Sequence, residues 1–132
     1  MKTHNIFFIA DDDPDDQELM IRALHKIDES SECVTAHNGQ QAIDKLENQL
    51  FFLPDFIFLD LNMPLMNGKQ CLERIKKNQK LLDIPVIIYS TSAQSKEVQE
   101  IKQLGANFFL QKPNLFEDLY NALNNIIMNN KL

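Results

Sequence analysis

At 132 residues, with 44% hydrophobic side chains and a formal net charge of −6, the chain is long enough to bury one core and too short for two ordinary domains. The acidic balance and the lack of any basic run exclude nucleic acid and anionic membrane as direct partners. Residues 1–5 lack the layout of a signal peptide, and no apolar stretch reaches the roughly 18 residues a bilayer crossing needs, so a cytoplasmic protein is expected.

The first apolar run, Phe7-Phe8-Ile9-Ala10, stops at Asp11-Asp12-Asp13. The helix after it should start with Asp13 as cap and Pro14 at the first helical position. Asp15, Asp16 and Glu18 then sit in its positive first turn, and Leu19, Ala23, Leu24 and Ile27 form its buried face. Asp13, Asp15 and Asp16 are assigned to capping. A second strand is predicted over Glu32–Ala36, then a turn at Asn38-Gly39 and a helix carrying Ala42, Ile43 and Leu46. Pro54 closes the connection to the run Phe56-Ile57-Phe58-Leu59, which ends at Asp60. Residues 61–68, with Pro64 and Gly68, read as a loop before a helix that buries Cys71, Leu72 and Ile75.

After the connection over residues 78–84, Ile84-Pro85 opens a fourth strand. Val86-Ile87-Ile88-Tyr89 runs into Ser90-Thr91. Val98, Ile101 and Leu104 give the next helix a narrow apolar stripe that stops at Gly105, so this helix should be the least firmly packed. The last strand, Phe108-Phe109-Leu110-Gln111, runs into Lys112-Pro113. The last helix buries a wide face of Phe116, Leu119, Tyr120, Leu123, Ile126 and Ile127, and residues 129–132 should fray. Cys33 and Cys71 have no CxxC spacing and are read as free thiols in the core. His4, His25 and His37 fall in different elements without ligand spacing and are read as surface or packing residues.

Strand and helix alternate throughout, which predicts a doubly wound α/β fold with a parallel sheet covered on both faces. Such sheets place ligand sites outside the carboxyl ends of their strands, so Asp11, Asp12, Asp60, Ser90 and Lys112 should converge on one crevice. Three carboxylates there repel one another unless a cation intervenes, and Mg²⁺ accepts one or two carboxylates while leaving room for phosphate oxygens. A carboxylate in that setting can attack a phosphoryl group and form an acyl phosphate, with Lys112 neutralising the transferring charge. A cis bond before Pro113 would aim Lys112 into the crevice. A hydroxyl at Ser90, or at Thr91, could bond the new phosphoryl oxygen.

Those residues in that order resemble the receiver domain of two-component response regulators. The likeness covers nearly the whole chain: Asp11-Asp12, Asp60-Leu61-Asn62-Met63-Pro64 with Gly68, Ser90, and Lys112-Pro113. It implies a flavodoxin-like five-stranded sheet of order 2-1-3-4-5 flanked by five helices, the order itself being one associated with a chemotaxis receiver. It implies Asp60 as phosphoacceptor, and a Mg²⁺ or Mn²⁺ site from Asp12, Asp60, the Asn62 backbone carbonyl and, through water, Asp11. Ser90 would be the switch hydroxyl, Lys112 the phosphate partner and Phe109 the switch aromatic. Phe109 lacks the phenolic hydroxyl many members carry, so any switch there must work by packing. Thr91 stands where the family usually has a small residue, which should slow access of water and small donors.

The resemblance also implies a histidine kinase or histidine phosphotransfer protein as donor. The target would be read through the fourth helix, fifth strand and fifth helix. The expected unit is a single receiver over residues 1–132 with no output domain, signalling rather than turning over substrate, and a monomer or weak homodimer. The connection over residues 78–84 is similar to that of stand-alone receivers serving sensor kinases, phytochrome-type ones among them. Two other functions compete with this one. A phosphatase resembling the haloacid dehalogenase family would use Asp11 as nucleophile, but its second acidic motif and cap segment are missing. A pseudo-receiver that binds without phosphorylation would typically have lost acidic residues that are all present here.

Overall fold

A computed structural model describes residues 5–48, 53–91 and 94–129. Five strands alternate with five helices: β1 (Ile6–Ala10), α1 (Pro14–Ile27), β2 (Glu32–Ala36), α2 (Gly39–Asn48), β3 (Phe56–Asp60), α3 (Gly68–Lys76), β4 (Val86–Ser90), α4 (Ser95–Gln103), β5 (Phe108–Gln111) and α5 (Phe116–Asn129). The strands are all parallel, in the order β2-β1-β3-β4-β5. This is the doubly wound sheet the alternation predicts. β3 and β4 are buried at every position, as continuous apolar runs in a two-faced sheet require.

Successive side chains feed two separate cores. Phe8, Ile57, Leu59, Val86 and Ile88 pack with Ala42 and Ile43 of α2, Leu72 and Ile75 of α3 and Ile101 of α4. Phe7, Ile9, Phe56, Phe58, Ile87 and Tyr89 face α1 and α5 with Met20, Ala23, Leu24, Leu119, Leu123 and Ile127. In that second layer the Phe7 ring lies 5.7 Å from Phe56 and 6.2 Å from Phe58, tilted in both pairs. Lys26 of α1 sits 4.7 Å over the Tyr120 ring of α5 and ties the two helices together.

The cap at Asp13 is present: its carboxylate accepts from the backbone N–H of Asp15 and Asp16, and Pro14 opens α1. The buried face of α1 differs from the sequence expectation. Leu19 is 37% exposed, and Gln17 and Met20 take the inner positions beside Ala23 and Leu24. Gln17 is buried because its amide donates to the carbonyls of Asp11 at 2.9 Å and Ala36 at 2.7 Å, pinning α1 to the ends of β1 and β2. Asn38 acts as a helix cap rather than a turn residue. Its carboxamide oxygen accepts from Gln41 N–H at 2.8 Å and Gly39 begins α2.

α4 is the thinly packed helix that was expected: Ile101 is its fully buried residue, and it ends before Gly105, which sits at φ 109°. Within residues 78–84, Leu81 is buried and the Asn78 carbonyl accepts from the N–H of both Leu81 and Leu82. Cys71 is buried and Cys33 half-buried, and both are free thiols. Burial pushes them up to about 12 and about 11, so neither is a ready nucleophile. His25 and His37 are exposed, whereas His4, residues 1–4 of the amino terminus and residues 130–132 of the predicted frayed end lie outside the described residues. No helix among the described residues is long and apolar enough to cross a membrane.

Candidate functional site

β1, β3, β4 and β5 all deliver a polar residue to the same edge. Asp11 follows β1, Asp60 ends β3, Ser90 ends β4 and Lys112 follows β5. The ladder continues past the strand ends, since Lys112 N–H donates to the Ser90 carbonyl at 2.7 Å and Leu61 N–H to the Tyr89 carbonyl at 2.8 Å. The Lys112 side chain reaches the acidic pocket by this backbone register. Among the described residues no peptide bond is cis, so the anticipated cis bond before Pro113 is corrected to trans.

Asp60 is 5% exposed and Asp11 fully buried, while Asp12 is exposed at the rim. Carboxylate oxygens of Asp11, Asp12 and Asp60 lie within 4.8 Å of one another. The Lys112 ammonium stands among them, 3.2 Å from Asp60 Oδ2 and 3.3 Å from Asp11 Oδ2. Its shortest contact, 2.8 Å, is to Asp16 Oδ2, so Asp16 does more than shape the first turn of α1. One ammonium in contact with the carboxylates of Asp11, Asp16 and Asp60, with Asp12 beside them, leaves a negative excess, and an all-oxygen donor set of this kind suits a hard divalent cation.

Burial is the main reason the Asp60 carboxyl is raised to about 6. The Asn62 N–H bond to Oδ1 at 3.1 Å opposes the shift, the Asp11 charge adds to it and the Lys112 charge opposes it. Burial alone would lower Lys112, but the Asp16 hydrogen bond and the charges of Asp11, Asp60 and Asp16 outweigh it and hold the ammonium well above its ordinary range.

The loop after β3 brings Asn62 over the pocket. Its side-chain amide donates to Ser90 Oγ at 3.2 Å, which puts the predicted switch hydroxyl within one side chain of Asp60. Met66 N–H then donates to the Pro64 carbonyl across a tight turn that holds Leu65 at φ 67°. Asn67 caps α3 in a reciprocal box with Gln70. Gly68 is there for lack of room: a Cβ would stand 2.5 Å from the Asp60 carbonyl oxygen and 2.8 Å from Leu61 Cα. Thr91 lies exposed at the mouth, where its carbonyl accepts from the Gln111 amide.

Phe109 is not brought to the pocket. It is half-buried and packs against the core under α2, α3 and α4, with Ile88 as its strand partner. Tyr89, by contrast, was not singled out by sequence. Its buried hydroxyl donates to Asp11 Oδ2 at 2.9 Å, and its ring lies 5.0 Å from the Lys112 ammonium. Burial first, then the Asp11 charge and hydrogen bond, raise this phenol well above its ordinary value. A sequence signal existed, since an aromatic with a polar tip stands one residue before a strand end that carries chemistry.

Comparison with known proteins gives one consistent result. A protein-glutamate methylesterase/protein-glutamine glutaminase of Treponema pallidum is 40% identical over 105 residues, which cover 75% of this chain but only 25% of that relative. The response regulator Rcp1 of Synechocystis sp. is 28% identical over 92% of this chain and 85% of its own length. Among solved structures, the phosphorylated cyanobacterial phytochrome response regulator RcpA matches with a TM-score of 0.86 at 29% identity, covering 94% of this chain and 91% of that one. The Mn²⁺-bound form of Rcp1 matches with a TM-score of 0.83 at 28% identity, covering 92% and 91%. Residues 7–124, from the second residue of β1 into α5, match the response regulator receiver domain, and the chain therefore belongs to that family.

Proposed function

We propose that this receiver accepts a phosphoryl group on Asp60 from a phosphohistidine and changes its surface for a protein target. The observation that carries this reading is the setting of Asp60: a buried carboxylate at a strand end, held by Lys112 on one oxygen and by Asn62 N–H on the other. In the transfer, an Asp60 oxygen forms a bond to phosphorus while the N–P bond of the donor imidazole breaks. The electron pair leaves on the ring nitrogen, which takes a proton from solvent. Water later attacks the acyl phosphate, releasing inorganic phosphate and restoring the carboxylate. The reaction is stoichiometric signalling, not turnover.

Asp11, Asp12, Asp60 and the Asn62 carbonyl would hold Mg²⁺ or Mn²⁺, a reading supported by the oxygen cluster and by the Mn²⁺-bound relative. When bound, the cation supplies charge neutralisation for the phosphoryl oxygens. Lys112 provides the fixed positive charge on the protein side. Ser90, whose hydroxyl now accepts from Asn62, turns to donate to the phosphoryl group, and the movement is passed to Phe109 by packing. α4 is the element best able to respond, since Ile101 anchors it and the Lys69–Glu100 ion pair at 2.7 Å is too exposed to hold it firmly. The α4-β5-α5 face is then the surface a target reads.

The donor would be a histidine kinase or histidine phosphotransfer protein, with a phytochrome-type sensor kinase the first to try in view of RcpA. A cytoplasmic location, protein partners rather than nucleic acid or membrane, and a monomer or weak homodimer through the β5 edge or α5 belong to the same reading. Thr91 at the mouth should lengthen the life of the acyl phosphate.

Mass spectrometry after incubation with acetyl phosphate and Mg²⁺ tests the reading. It calls for one added phosphoryl group, lost on Asp60→Asn and with EDTA. Phosphate release that survives Asp60→Asn but not Asp11→Asn would establish a phosphatase instead, and no labelling by either acetyl phosphate or a phosphorylated kinase would end the receiver-chemistry reading.

A further inference from the structure

Tyr89 has no part in the transfer as written, yet it touches two groups that do. β4 alternates between the two cores, with Ile88 toward α2, α3 and α4 and Tyr89 toward α1 and α5. From there the Tyr89 ring, 1% exposed, runs beneath the end of β1 and brings its hydroxyl 2.9 Å from Asp11 Oδ2, with the Ala10 carbonyl farther off at 3.5 Å. The other oxygen, Asp11 Oδ1, accepts from Asp13 N–H at 2.9 Å. Rotation of the Asp11 carboxylate in either direction therefore breaks one of these bonds. Lys112 shares the same Oδ2 at 3.3 Å, and its ammonium lies 5.0 Å from the centre of the Tyr89 ring. One side chain thus braces a carboxylate through its hydroxyl and an ammonium through its ring.

We propose that Tyr89 is a positioning residue of this site: its hydroxyl fixes the Asp11 carboxylate for a divalent cation and its ring fixes the Lys112 ammonium for the incoming phosphoryl group. The proposal rests on reading Asp11, Asp12 and Asp60 as the cation site. A buried tyrosine also needs an acceptor merely to be satisfied, and the two roles differ in what they move. If the bond serves only folding, removing the hydroxyl lowers stability and leaves cation affinity alone. If it positions Asp11, affinity falls even in fully folded protein.

Tyr89→Phe keeps the ring and removes the hydroxyl, whereas Tyr89→Leu removes both. Isothermal titration with Mg²⁺ is expected to give a Kd about tenfold higher for Tyr89→Phe than for wild type, the scale on which partners of metal ligands act. At saturating Mg²⁺ the rate of labelling by acetyl phosphate should fall about tenfold in Tyr89→Leu, through loss of the ring beneath Lys112, and by less in Tyr89→Phe, which keeps that ring. A Tyr89→Phe Kd within twofold of wild type, with urea unfolding showing a folded protein, overturns the proposal even if Tyr89→Leu fails to fold. Wild type that gives no Mg²⁺ heat would instead overturn the cation-site reading on which it rests, so the two failures are distinguishable.

Discussion

Replacing Gly68 by alanine sets two effects of opposite sign against each other. In an open first turn the change should stabilise by up to about 1 kcal/mol, because alanine gives up less chain freedom than glycine on entering a helix. Here the added Cβ would lie 2.5 Å from the Asp60 carbonyl oxygen, 2.8 Å from Leu61 Cα and 3.1 Å from the Asp60 carbonyl carbon. All three are backbone atoms of the β3 end, so relief requires moving α3 away from β3 by several tenths of an ångström and weakening the Gly68 N–H bond to the Leu61 carbonyl, now 3.0 Å. Overpacking of this kind costs up to about 3 kcal/mol, which leaves a net loss of about 2 kcal/mol and a fall in Tm of roughly 6 °C for a chain this size. The same shift carries Asp60 away from Lys112 and Asn62, so labelling by acetyl phosphate at saturating Mg²⁺ should slow about tenfold or more. Calorimetry and urea unfolding read the first effect and mass spectrometry the second. A Gly68→Ala protein as stable as wild type, or more stable, would mean that the helix-propensity gain wins and that the close approach of α3 to the Asp60 backbone does not constrain this position.

Three further outcomes follow from the same geometry. In metal-free protein, Asp60 is raised by burial to about 6 against an ordinary 3.8, so the folded state binds a proton before the unfolded chain does. Stability should therefore rise as pH falls through 6 toward 4, by at most about 3 kcal/mol from this group, and urea unfolding of Asp60→Asn in EDTA should lose that rise; an unchanged pH slope would refute the assignment. Asp16→Asn removes the shortest contact of Lys112, at 2.8 Å, but the Asp16 side chain is about one-third exposed, so stability should change by less than about 1 kcal/mol. Labelling by acetyl phosphate should quicken a few-fold because the ammonium no longer has to leave that carboxylate, whereas slower labelling would show that Asp16 aims Lys112 rather than restrains it. Gln17→Leu removes the donor to the Asp11 carbonyl at 2.9 Å and should destabilise by about 2 kcal/mol in urea unfolding, and a neutral result would mean water replaces the amide.

The sheet was legible because each apolar run is as long as a strand and ends at a residue whose charge cannot enter the core. β3 and β4, buried throughout, are the clearest cases. The buried face of α1 was less legible, for a local reason. Ala23 and Leu24 are adjacent and both fully buried, so the stripe can be extended backward through Leu19 or through Met20 with equal periodicity. What settles the choice is Gln17, one turn before Met20, drawn inward by the two carbonyls at the ends of β1 and β2. A pattern of hydrophobic residues gives no sign that a glutamine will be buried. Asn38-Gly39 misled in a similar way. The pair has turn chemistry, but the glycine is needed because the Met66 carbonyl crosses above it, where a Cβ would be only 1.7 Å away.

At the site, the residues that were found in sequence are those with no sufficient local explanation. Nothing in its own neighbourhood calls for Asp60 at the end of β3 or Lys112 at the end of β5, so each pointed beyond itself. Asp16 failed that test, because an acidic residue in a helical first turn is already accounted for by the helix dipole. Its ion pair with Lys112, 96 residues away in the chain, left no trace in the local pattern. Tyr89 was hidden in the same manner, since an aromatic in a buried strand is accounted for by packing. Its ring does pack, between α1 and α5, and its hydroxyl nonetheless reaches Asp11. Both residues have a local structural role and a second one across the sheet, and the second becomes visible only when parallel register sets the Tyr89 and Asp60 backbones side by side. Sequence reasoning that assigns each residue one cause will therefore find the nucleophile and its cation more readily than the side chains that hold them in place.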